Sequence, residues 1–253
     1  MPHPCVLVEP GPARLPGSPG WPGSPGSPGS PGWPGFPGSP GFLRVRLARP
    51  ERRNALDAAM TRTLLEILRA DPVVPVLIES SDPGAFCAGA DLSVSDSERV
   101  VVSDLLYECY EAMITRPGPV IAVVEGPAVG GGAQLAGAAD LRIAGPGARF
   151  RWTGPPGRDL AVGAWVLPAL TGRGAALELT LTGRWVEAAE ALRLGLVNRV
   201  EKEPGHAAAE LAGQLLARGA AGTGSVKLIA SAGGLLERLR AERAANRAAW
   251  GST

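Results

Sequence analysis

IAVVEGPAVGGGAQLAGAADLRIA, from Ile121 to Ala144, passes through strand, glycine turn, helix and strand in one short run. IAVV, within the longer PVIAVVEG from Pro119 to Gly126, is an uninterrupted apolar, β-branched segment, the pattern of a strand buried on both faces. GPAVGGGAQLAGAAD then opens a helix of small residues, and LRIAG is the next strand. Glycines at such a turn allow tight backbone geometry and let a ligand approach the main chain. The first N–H groups of the helix have no partner inside it and carry partial positive charge. Two N–H groups converging there would form an oxyanion hole; the alternative is tight packing of helix on strand. A phosphate loop fits less well, because the run has neither a Lys-Ser/Thr ending nor a clean GxGxxG spacing.

The flanking sequence repeats the theme. VPVLIES, Val74 to Ser80, is a second buried strand, and it leads into SDPGAFCAGADL, whose AFCAGADL portion (Ala85 to Leu92) is a second glycine-containing turn. A helix is predicted over Asp57 to Ala70, with Met60, Leu64, Leu65, Ile67 and Leu68 on its apolar side. SDSERVVVSDLLYECYEAMIT reads as another helix, with acids in its first turn where the dipole favours them. From Gly163 onward the pattern is helical, broken by LGLVNRV (Leu194 to Val200), which reads as a strand; His206 to Trp250 reads as helices. At the N-terminal end, CVLVE (Cys5 to Glu9) and FLRVRLA (Phe42 to Ala48) read as two strands. Between them, from Leu15 to Gly41, lies LPGSPGWPGSPGSPGSPGWPGFPGSPG, with proline before a glycine at every third position. The period matches Gly-X-Y, but so few triplets in one chain cannot form a triple helix. The tract reads as an expanded hairpin loop, disordered or polyproline-II-like. A collagen-like stub bridging a trimer, or a ligand for an aromatic groove helped by Trp21, Trp33 and Phe36, are the alternatives. Alternating buried strands and helices make the class α/β.

The 253 residues suffice for one large domain, or one domain with an appendage. A net charge of +1 suggests neither nucleic acid nor a membrane surface as partner. Cys5, Cys87 and Cys109 have no metal-type spacing and suit a reducing compartment; His3 and His206 are far apart, against a histidine metal site or a Ser-His-Asp triad. With no visible signal peptide and no run long enough for a membrane span, a cytoplasmic protein is expected.

RPERRNALD, AFCAGADL, IAVVEGPAVGGGAQLAGAADLRIA and LTGRWVEAAEALRLGLVNRV, in this order and spacing, resemble the enoyl-CoA hydratase/isomerase (crotonase) family over about Cys5 to Val200. The resemblance implies a repeated ββα core over residues 1–200, with the 15–41 repeat inserted in its first hairpin. A C-terminal helical trimerisation region would occupy 201–253. It implies an acyl-CoA or carrier-bound acyl-thioester substrate, coenzyme A entering only as part of that substrate, and a homotrimer or dimer of trimers. The two oxyanion-hole N–H groups fall on Ala90 and Gly131, where they would hold the oxygen of an enolate-type intermediate. Ala88, Asp91 and Leu92 match the segment lying along the CoA. Arg52 and Arg53, before Ala55 and Leu56, match the adenine and phosphate contact region, unless those arginines merely belong to a solvated loop.

The acid/base positions depart from the family pattern. The first hydratase glutamate falls on Gln134, which cannot ionise. The second falls on Trp152, Thr153 or Gly154, none acidic. Ordinary hydration is therefore not expected; isomerisation, decarboxylation or C–C and C–halogen chemistry fits better. Asp159 is the carboxylate available in that loop, as an acid, base or nucleophile, or else as a partner of Arg158 or a helix cap. Tyr107 and Tyr110, three apart on one helix, border the acyl pocket implied by the resemblance and could donate a hydrogen bond there, or simply pack. The other reading is a degenerate member that binds acyl-CoA, or acts as a scaffold, without turnover.

Overall fold

The computed structural model describes residues 4–11, 41–155 and 160–251. Residues 15–40 of the repeat tract, and Asp159 with its neighbour Arg158, lie outside the described residues.

The strands are β1 (Val6–Gly11), β2 (Phe42–Leu47), β3 (Val76–Ser80), β4 (Val120–Val124), β5 (Pro127–Val129), β6 (Leu141–Ala144), β7 (Arg149–Arg151), β8 (Trp185–Glu187) and β9 (Arg199–Val200). The helices are α1 (Ala58–Ala70), α2 (Asp96–Thr115), α3 (Gly131–Ala138), α4 (Leu167–Thr182), α5 (Ala188–Arg193), α6 (Pro204–Arg218), α7 (Ala220–Ser231) and α8 (Leu235–Gly251). The larger sheet runs β1-β2-β3-β4-β6-β9. β1 and β2 are antiparallel, with Gly11 opposite Phe42, and every later pair is parallel. Parallel strands are stable when both faces are covered. Here β4 is buried throughout, as its unbroken VIAVV requires. One face carries the main core beneath α1, α2 and α3, including Leu64, Leu68, Val76, Ile78, Val120 and Ala122. The other face, with Phe42, Leu77, Ile121, Val123 and Ile143, is closed by α6 through Ala208, Ala209 and Ala212, whose small side chains let the helix sit close.

α1 begins where expected because the Asp57 carboxylate accepts from the Met60 N–H at 2.8 Å. α2 begins with a reciprocal capping box between Ser95 and Glu98. The expected strand over Leu194 to Val200 shrinks to β9. Gly195, at φ +76°, turns the chain after α5, and the Val197 N–H donates to the Ala191 carbonyl, so the apolar run is a helix-terminating turn. A second sheet, β5-β7-β8, was not legible in the sequence: its strands are three residues long and too short to show a period. The C-terminal helices do not stand apart from the core, because Leu239 of α8 is buried in it.

Candidate active site

β3 and β4 are parallel neighbours, and the chain leaves both at the same edge of the sheet. Ligands of open α/β sheets collect at the carboxyl ends of strands. The loop after β3 is laced between two other segments there. On one side the Leu56 N–H donates to Gly89 O and the Asp91 N–H donates to Leu56 O, both at 2.8–2.9 Å. On the other, Phe86 and Cys87 donate to Pro127 O, and Val129 donates to Cys87 O. The parallel bridge between Leu56 and Ala90 leaves the Ala90 N–H facing away from Leu56.

Gly89 is at φ +90°, and a Cβ there would lie 2.8 Å from the Val129 carbonyl oxygen and 3.1 Å from the Gly131 nitrogen. Only glycine lets the two loops approach so closely. Gly131 is the first residue of α3, so its N–H has no acceptor within the helix. A Cβ on Gly131 would be 3.6 Å from the Ala90 nitrogen. Among the described residues neither N–H has a protein acceptor, and both residues line one cavity of about 330 Å³.

That cavity brings together Ala88, Ala90, Leu92, Tyr107, Tyr110, Gly131 and Gln134 from the sequence-derived candidates. Arg52 and Arg53 are exposed on a turn, and Ala55 and Leu56 are buried beneath the loop; these four, and Asp91, are not in the cavity wall. Asp91 is turned inward. It accepts from Arg49 Nη1 at 2.7 Å and from the Ser93 N–H and hydroxyl at 2.9 and 2.7 Å. Burial pushes its carboxyl upward, but the Ser93 and Arg49 hydrogen bonds outweigh this and hold it below the usual range. Cys87 is fully buried, which pushes its thiol up to about 12, so it is not a nucleophile at neutral pH.

Gln134 keeps its place in the wall, and its Oε1 accepts from Trp165 Nε1 at 2.6 Å. Where a second carboxylate would stand, Thr153 and Gly154 line the cavity and Trp152 is buried behind them. Tyr110 donates to the Gly131 carbonyl at 2.8 Å and stacks on Trp165 at 5.8 Å, so it braces the start of α3. Tyr107 meets Tyr110 edge-on at 5.6 Å. Its hydroxyl donates to Glu242 Oε1 at 2.9 Å and accepts from Asn246 Nδ2 at 2.8 Å.

Glu242, Asn246 and Trp250, on α8, escaped the sequence reading because LLERLRAERAANRAAW looks like a solvated charged helix. A signal was present. Leu239, Glu242, Asn246 and Trp250 recur at helical spacing on one face, all four buried, so two polar residues sit inside an apolar stripe. Burial pushes the Glu242 carboxyl up to about 7, against the opposing hydrogen bonds of Tyr107 and of the Trp165, Gly163 and Ala164 N–H groups. Burial, and then the nearby Glu242 charge, raise the Tyr107 hydroxyl above the usual phenol range.

The sequence model of the family described as Enoyl-CoA hydratase/isomerase matches residues 38–249. The chain belongs to the enoyl-CoA hydratase/isomerase family. A relative described as a probable enoyl-CoA hydratase, from Mycobacterium bovis, is 37% identical over 164 residues, which cover 62% of this chain and 66% of the relative's length, just under two thirds. An enoyl-CoA hydratase/isomerase structure from Xanthobacter autotrophicus Py2 superposes with a TM-score of 0.74 at 28% identity, covering 84% of this chain and 85% of that one. A structure described as a monofunctional enoyl CoA isomerase from M. smegmatis superposes with a TM-score of 0.64 at 34% identity, covering 79% and 93%. The crotonase-like α/β fold expected from the sequence is thus the fold observed. No helix among the described residues is long and apolar enough to cross a membrane.

Proposed function

We propose that the chain binds an acyl thioester, with coenzyme A as the carrier half of the substrate, and stabilises an enolate-type intermediate on the Ala90 and Gly131 N–H groups. The observation carrying this reading is that both N–H groups lack a protein acceptor among the described residues and that both residues line the same cavity. Backbone donors fixed by the Leu56–Ala90 bridge and the start of α3 need no reorganisation as charge develops. Each such donor contributes about 3 kcal/mol to catalysis in known cases. Isomerisation or decarboxylation fits better than hydration, since neither Gln134 nor any of Trp152, Thr153 and Gly154, the positions matched to the two hydratase glutamates, is a carboxylate. Association of the protomer into trimers belongs to the same proposal.

A second reading, an acyl-CoA binder without turnover, is favoured by one observation: the Gln134 oxygen is already taken by Trp165 Nε1. The test is a mass-spectrometric screen of enoyl-, β-keto-, malonyl- and aryl-CoA thioesters in buffered D₂O. Deuterium at the α-carbon, or a product mass, is the expected result. Thioester binding with neither exchange nor product would leave the binder as the correct reading.

A further inference from the structure

Glu242 is a buried carboxylate that none of the site chemistry above uses. Its two oxygens are held by neutral donors: Oε1 by the Tyr107 hydroxyl and the Gly163 N–H at 2.9 and 3.1 Å, Oε2 by the Trp165 N–H at 2.9 Å. The cations near it are committed elsewhere. On its own helix, Arg238 donates to the Trp165 carbonyl, Arg240 pairs with Glu111, and Arg243 pairs with Asp104 and Glu108 of α2. On α2, Tyr107 and Tyr110 are the titratable groups on its side, and from α3 the neutral Gln134 reaches the same network. A carboxylate placed this way, with no charge partner among the described residues, is costly to keep ionised, and groups perturbed in this manner cluster at functional sites. What connects it to the cavity is one residue. Tyr107 lines the cavity, and its hydroxyl donates its proton to Glu242 and accepts from Asn246, another cavity residue.

We propose that Glu242 is the proton store of this site, exchanging a proton with the α-carbon of the bound thioester through the Tyr107 hydroxyl. The proposal rests on the enolate reading above. In the forward direction the α C–H bond breaks, and its electron pair passes into the enolate whose oxygen sits on Ala90 and Gly131. The released proton bonds to the Tyr107 oxygen while the former Tyr107 proton passes to Glu242 Oε1, leaving a neutral tyrosine and a carboxylic acid. Reversal returns the proton to carbon. Passing the proton in concert avoids a free phenolate, which burial disfavours. Tyr107 is then the catalytic residue that touches substrate, and Glu242 is a positioning residue that acts through it.

The experiment follows α-hydrogen exchange in D₂O between pH 5 and 9 for butanoyl-, but-3-enoyl- and phenylacetyl-CoA. It compares wild type, Tyr107→Phe and Glu242→Gln, with thioester affinity measured by calorimetry. Exchange by the wild type is expected to rise with pH and level off above about 7, because the carboxylate is the accepting form. Both variants are expected to exchange at least ~100-fold more slowly while binding the thioester. Tyr107→Phe leaves the backbone bonds of Glu242 in place, so it tests the relay even where Glu242→Gln disturbs the turn at Gly163–Trp165. Wild-type exchange that persists in Tyr107→Phe, or a flat wild-type profile, overturns the relay and leaves the enolate reading standing. No wild-type exchange with any of the three thioesters overturns both.

Discussion

At the scale of the residue, Gly89 carries more of the site than any side chain near it. Its φ of +90° and the space left by its missing Cβ, 2.8 Å from Val129 O, let the loop after β3 close against the start of α3. Gly89→Ala must either force a left-handed alanine or push the two loops apart. A loss of about 1–2 kcal/mol in thermal or urea unfolding is expected. On the proposed function, activity should fall further than stability, because the Ala90 and Gly131 N–H groups would move apart; a variant with full activity would show that their spacing is not critical. The cysteines offer a simpler check. Burial pushes Cys87 up to about 12 and also raises Cys109, and both are inaccessible, whereas Cys5 is partly exposed. At pH 8, DTNB should titrate one thiol in the native protein and three after denaturation. Rapid reaction of three native thiols would contradict the packing of the Cys87 loop.

At the scale of the element, the docking of α8 on α2 depends on pH through Glu242. Its carboxyl is lifted from 4.5 to about 7, so between those values the folded chain holds a proton that the unfolded chain has lost. The contribution is therefore full below about 4.5 and disappears as pH rises through 7, by up to ~3 kcal/mol. Wild-type Tm measured from pH 5 to 8 should fall relative to that of Glu242→Gln, and parallel curves for the two proteins would refute the assignment. The same helix shows what a sequence conceals. β4, α1 and α2 were legible because their signals are local: an unbroken apolar run, an Asp57 cap, an acidic first turn. The glycine turns were legible through their order and spacing, and the cavity does gather Ala90, Gly131, Gln134, Tyr107 and Tyr110. The part played by α8 was not, because Tyr107 and Glu242 are 135 positions apart and nothing local marks their contact. β5, β7 and β8 were missed for the opposite reason, being too short for periodicity to register.

At the scale of the whole molecule, α7 is inside out. Lys227, the charged residue of SVKLIAS, points inward: its ammonium donates to Met113 O at 2.6 Å and Gly118 O at 3.3 Å and pairs with Asp140 at 2.8 Å. The apolar residues beside it point outward, with Val226, Leu228 and Ile229 exposed by 61, 72 and 75%. A solvated helix would do the reverse, and three neighbouring aliphatic side chains left in water forgo the transfer free energy their burial would bring, roughly 1.5–3 kcal/mol each. The covering proposed here is a second copy of the chain, since the helical C-terminal region is where this family resemblance places trimer contacts. Sedimentation velocity on the full chain should then give a trimer or a dimer of trimers. Replacing both Leu228 and Ile229 with glutamate should shift it to monomer with the fold retained, because neither side chain belongs to the protomer core. A wild-type monomer at micromolar concentration, or an assembly that survives both substitutions, would mean that α7 is covered by something else.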